Sequence, residues 1–140
     1  MRPAAGVLAG ALALAAWAGA GAGAALANDA SRAARGLVAA YNGGAGLPAL
    51  FSPEALAVRD AAAIEGWRAR TLPALGRLVS IRYARAFGPG QHVYLAEFEA
   101  GPRDLYLALD RRGLISGLML CEEGLTPLSR PEHLPLCSGP

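Results

Sequence analysis

One imidazole and a handful of phenols are the groups in this chain best suited to carry a proton. His92 stands in the run Gln91–Ala100 (QHVYLAEFEA), two residues before Tyr94. Tyr83 and Arg85 stand in Arg77–Ala86 (RLVSIRYARA), Ser116 in Leu114–Cys121 (LISGLMLC), and Tyr41 and Trp67 upstream. General acid–base chemistry needs a carrier that titrates near neutral pH and a second group, usually a carboxylate, that holds it. Here the apolar alternation keeps Glu97, Glu99, Asp104 and Asp110 off the leucine-bearing face or at strand ends. His92 follows closely on Gly88-Pro89-Gly90 and reads as a residue at a loop edge. The set Tyr41, Trp67, Tyr83, Arg85, His92, Tyr94 and Ser116 therefore reads as ligand-binding: polar tips on an apolar concavity, with no residue assigned to catalysis.

Other chemistries are excluded by composition. All 13 basic residues are arginines, so there is no Ser-x-x-Lys pair, no Schiff-base lysine and no P-loop. No G-x-S-x-G occurs. His92 and His133 are far apart and form no H-E-x-x-H, so neither a metal nor another cofactor is expected. The run Asn42-Gly43-Gly44-Ala45-Gly46 follows a helical stretch instead of opening one, which makes it a loop and not a phosphate cradle. With no basic block, nucleic acid is not an expected partner.

The N-terminus reads as an address. Met1-Arg2 precedes an uncharged stretch with an apolar core, Val7–Ala18, and an A-x-A pattern at Ala25-Leu26-Ala27. Residues 1–27 are expected to be a cleaved signal peptide, leaving Asn28 first, no membrane attachment and a periplasmic or secreted protein. In that oxidising compartment Cys121 and Cys137 are expected to form a disulfide. It would tie a proline-rich tail, residues 122–140, back onto the domain and add about 3 kcal/mol in the chain-entropy picture.

The elements that must position the candidate residues lie between. A helix is predicted over Ala30–Tyr41, capped by Asp29 or Ser31 and ended by Gly43. A short helix starts at Ser52-Pro53-Glu54 and reaches Val58, and a longer one runs from Ala61 to about Leu72 behind Asp60. Four strands follow: Arg77–Ala86, Gln91–Ala100, Arg103–Asp110 and Leu114–Cys121. The turns between them are Gly88–Gly90, Gly101-Pro102 and Asp110–Gly113. Helices first and strands second predict an α+β domain over 28–121, its N-terminal helices packed on a curved four-stranded antiparallel meander. Leu109 is expected opposite Leu114. That puts Leu105, Leu107, Leu109, Leu114, Leu118 and Leu120 inward with Tyr94, Ala96, Phe98, Val79, Ile81 and Tyr83, and leaves Arg82 outward beside Glu97. The reverse face (Tyr106, Ala108, Ile115, Met119) is apolar enough to suggest cover by the tail or a homodimer contact.

Leu50-Phe51-Ser52-Pro53, Leu75-Gly76-Arg77 and Asp110–Leu118, in this order, resemble the NTF2-like superfamily over about Ala30–Cys121. The chain is most similar to small secreted bacterial members, including accessory domains found beside β-lactamase-like serine hydrolases. The resemblance implies a cone of helices in a bent sheet, often around a pocket. It implies either a non-catalytic domain that binds a small apolar ligand or a protein partner, or a small-molecule enzyme of the isomerase or dehydratase type using His92 and a Tyr.

Overall fold

The computed structural model describes residues 30–122 and 137–140. The expected signal peptide, the Asp29 cap and the tail prolines Pro127, Pro131 and Pro135 lie outside them. So does His133. A helix, α1, covers residues 30–43. It buries Ala30, Ala34, Leu37, Ala40 and Tyr41, the three-to-four spacing of one apolar stripe. Ser31 lies within it, and the turn that ends it is at Gly44, with φ 78° and its N–H on Ala40 O at 3.1 Å.

A single 3-10 turn, Pro48–Leu50, leads into α2, Pro53–Val58, and α3, Ala61–Leu75. Both α2 and α3 start as the sequence predicts. Ser52 Oγ accepts from Ala55 N–H at 3.1 Å and Asp60 Oδ1 from Ala63 N–H at 2.8 Å, which satisfies donors that the first turn cannot pair. α3 runs past Pro73 to Leu75 and stops at Gly76, whose φ of 76° a residue with a Cβ adopts poorly.

The sheet is antiparallel and has five strands in sequence order: β1 Leu78–Gly88, β2 Gln91–Phe98, β3 Gly101–Leu109, β4 Ile115–Glu122 and β5 Cys137–Ser138. The α+β class holds, and the expected count of four becomes five because the end of the tail pairs with β4. Cys121 lies opposite Cys137, their Cα atoms 4.1 Å apart, and the two form the expected disulfide. The β2–β3 turn falls at Glu99-Ala100, not at Gly101-Pro102, which are strand residues. The end of α3 explains the shift: Leu75 O accepts from Ala100 N–H at 3.0 Å and Arg77 O from Glu99 N–H at 3.1 Å.

Irregularities in β1 and β4 reset the predicted faces. One lies between Leu78 and Ser80, so Leu78 is buried and Val79 is 67% exposed. Ser80, not Arg82, lies opposite Glu97, while Arg82 faces Leu95. At the start of β4, Leu109 pairs with Ile115 and Ala108 with Gly117, leaving Ser116 as the extra residue. Ile115 thereby enters the core in place of Leu114. It also bridges Phe51, and its carbonyl accepts from Ser52 N–H at 2.8 Å. A one-residue insertion inverts every side chain beyond it, which is why alternation alone misassigned these positions.

Helices and sheet enclose one main core. Ile64 and Trp67 from α3, Tyr41 from α1 and Leu47 meet Tyr94, Ala96, Phe98, Leu105, Leu107, Ile115 and Leu120 from the sheet. The Tyr41 ring sits 5.5 Å from Phe98, edge-on, and 6.4 Å from Trp67, so helix and sheet lock through it. Truncating a buried aromatic of this kind costs about 3–5 kcal/mol. The reverse face carries a second cluster of Val93, Tyr106 and Cys121, with Phe87, Met119 and Cys137 against it.

β1 forms one border of the sheet. At its start the Asn42 amide takes both main-chain groups of Leu78: Oδ1 accepts from Leu78 N–H at 2.9 Å, and Nδ2 donates to Leu78 O at 2.8 Å.

Candidate functional site

The register of β1 on β2 gathers three of the seven candidates. Tyr83 pairs with Tyr94 and Ala86 with His92, so Tyr83, His92 and Tyr94 share the inner face. The Tyr83 hydroxyl lies 3.3 Å from His92 Nδ1, with the donor set by the imidazole tautomer. The Tyr83 ring sits 5.7 Å from the His92 ring and edge-on to Tyr94 at 5.3 Å. His92 does sit next to the turn, as the second residue of β2, but it is not an open loop-edge residue. It is a buried strand residue opposite Leu107, 6% exposed.

Burial sets the electrostatics of this cluster. It lowers the His92 pKa below the usual imidazole value. It pushes the Tyr94 hydroxyl up to about 12, with Tyr83 adding to the rise. The Tyr94 hydroxyl is buried and pairs with no group among the described residues. A neutral imidazole against a phenol can pass a proton, but no carboxylate among the described residues is hydrogen-bonded to it to orient it and stabilise its charged form.

The other four candidates go elsewhere. Tyr41 is a core residue whose hydroxyl donates to Gly76 O at 2.9 Å, while its own carbonyl accepts from Arg68 Nε at 2.7 Å. Burial raises the Tyr41 pKa, with Glu99 adding to the rise and Arg68 opposing it. Arg85 lies past an irregularity after Tyr83 and pairs with Val93 on the reverse face. There it acts on Tyr106, whose pKa burial raises, with Asp104 adding to the rise and Arg85 opposing it. Ser116 is exposed on the β4 bulge, beside a hollow of about 300 Å³ lined by Phe51, Ala55 and Val58.

Trp67 is the candidate that reaches a pocket of ligand size. A cavity of about 630 Å³ opens between α3 and the ends of β3, β4 and β5, within the range of small-molecule sites. Trp67, Leu75 and Leu120 form apolar wall together with the Cys121–Cys137 bridge, and Arg70, Thr71, Arg103 and Glu122 bring polar groups. Thr71 Oγ1 donates to Trp67 O at 2.7 Å and so is fixed in place. Trp67 Nε1 is buried without a partner among the described residues.

No family model, curated protein or solved structure matches this chain. Among the described residues, no three His, Cys, Asp or Glu gather into a group that could hold a metal.

Arg70, Thr71 and Arg103 were missed by reading the sequence for proton carriers. A signal for Arg103 was present: it precedes Leu105, Leu107 and Leu109 at the same two-residue spacing, which puts it on their face. Arg70 and Thr71 follow Trp67 by three and four residues and so share its side of α3.

Proposed function

We propose that this protein is an exported, non-catalytic binding domain with an NTF2-like arrangement of helices on a sheet, and that it holds a small apolar or amphipathic ligand under α3. The observation that carries this reading is the 630 Å³ cavity walled by Trp67, Leu75, Leu120 and the disulfide. A ligand there displaces water from apolar wall, which is the main source of affinity in such sites. The centre of the inner face, by contrast, is filled. Ile64, Leu105 and Leu107 are each at most 1% exposed, which leaves little room for a substrate among them.

The alternative is an enzyme of the isomerase or dehydratase type working from Tyr83 and His92. The 3.3 Å approach of the two groups is what favours it. A protein partner or a second copy on the reverse face would meet what Phe87, Ala108 and Met119 leave open there, a hollow of about 300 Å³.

One experiment separates these readings. From Asn28 onward Trp67 is the sole tryptophan, so its emission reports on the cavity. Binding of an apolar probe, 1-decanol, is expected to survive His92→Ala within about tenfold and to weaken further than that on Leu120→Ala. Turnover of small ketones, epoxides or hydroxy compounds that His92→Ala abolishes would overturn the binding reading in favour of the enzyme.

A further inference from the structure

Arg103 is the anomaly of the cavity. Its pairing with Ala96 on β2 places it on the core side of the sheet, in line with Leu105. It is half-buried there. One Nη1–H goes to the neighbouring Pro102 carbonyl at 2.7 Å. Glu122 stands directly across the β3–β4 ladder, yet the two form no ion pair among the described residues. Arg70, on α3, lines the same cavity and likewise has no hydrogen bond or ion pair among the described residues. Drawing a guanidinium from water against apolar wall is costly unless a counter-group answers it. The planar guanidinium fork matches a carboxylate in a two-pronged fashion that a hydroxyl or amide cannot reproduce.

We infer that the ligand of this cavity is an apolar molecule ending in a carboxylate, its head held by Arg103 and Arg70 and its body laid along Trp67, Leu75, Leu120 and the disulfide. This inference rests on the binding reading above and names the ligand class for that site. Among the described lining residues, two guanidiniums stand against the one carboxylate of Glu122, a balance that favours an acid over an amine. Arg103 does the larger share, because it starts half-desolvated and has less to lose on closing with the ligand. Arg70 is exposed and its contribution is screened.

The test is calorimetric titration of the full chain with decanoate and with 1-decanol, which share a hydrocarbon body and differ in the head. Decanoate is expected to bind at least tenfold tighter. Arg103→Gln should erase that margin while leaving the decanol affinity in place, and Arg70→Gln should reduce the margin severalfold. Far-ultraviolet circular dichroism and the melting temperature establish that each variant is folded. Should Arg103→Gln fail to fold, the exposed Arg70→Gln decides alone, and an unchanged margin in it sinks the assignment. Equal affinity for acid and alcohol, or a margin indifferent to both arginines, overturns the carboxylate while the binding reading stands. Absence of binding by either probe overturns both.

Discussion

Deleting the same atom at two tyrosines should move stability in opposite directions. Tyr94 and Tyr41 are both buried, at 2% and 1% exposure, and both stack edge-on against another ring. Substitution by Phe keeps those ring contacts and removes only the hydroxyl. At Tyr41 the hydroxyl donates to Gly76 O at 2.9 Å, at the turn where α3 hands over to β1. Tyr41→Phe leaves that carbonyl without its donor and should cost about 0.5–1.5 kcal/mol. At Tyr94 the hydroxyl has no partner among the described residues, so the native state carries its desolvation uncompensated. Mutational data put that penalty at about 1–3 kcal/mol. Tyr94→Phe should therefore be neutral to stabilising, by up to about 1 kcal/mol once the loss of a methyl-sized volume of contact is set against it. Urea unfolding followed by circular dichroism reads both, and the slope m should stay unchanged. Two destabilised variants of similar size would refute the reasoning, because they would mean that Tyr94 is hydrogen-bonded in solution.

Three further outcomes follow from the same contacts. His92 has its pKa held below the ordinary 6.5 by burial, so the folded chain binds fewer protons than the unfolded one in the acid range. Stability should be full above about pH 6.5 and fall as the pH drops toward the folded pKa, and His92→Leu should flatten that fall in unfolding curves taken between pH 7 and 5. Reduction of Cys121–Cys137 should cost about 2–5 kcal/mol, and thiol titration of the native protein should return no free thiol. Asn42→Ala removes two hydrogen bonds to Leu78 and should cost about 1–3 kcal/mol, with faster amide exchange confined to the first residues of β1.

Local signals in the sequence survive folding where a few neighbouring residues decide the structure. Ser52-Pro53 and Asp60 start helices, Gly76 stops one, and Cys121 finds Cys137, all as read from residue type and spacing. What alternation could not show is where the strands are interrupted. No residue at Val79, Ala84 or Ser116 announces an insertion. The insertion at Val79 turned that residue outward, the one at Ala84 moved the candidate Arg85 to the reverse face, and the one at Ser116 left that candidate on the surface and brought Ile115 into the core beside Phe51. Gly101-Pro102 reads as a turn by composition, but the carbonyls of Leu75 and Arg77 draw the turn to Glu99-Ala100, a contact between distant elements. The candidate set was chosen for proton chemistry. That choice led to Tyr83, His92 and Tyr94, and it passed over Arg103, whose charge the fold places in the cavity wall.

The border strand β1 has a consequence for how this protein can meet others. An 11-residue strand with one open side ordinarily invites main-chain pairing with a second chain, the route to sheet extension and fibrous aggregation. Here Asn42 occupies the main-chain groups of Leu78, three irregularities break the spacing of those beyond it, and Arg82 and Arg85 charge the strand. A second copy laid alongside would find no regular ladder and would bring like charges together. The border is thus insulated, and concentrated solutions should not seed cross-strand polymers from it. Along β1, at least, a partner strand finds a poor main-chain template.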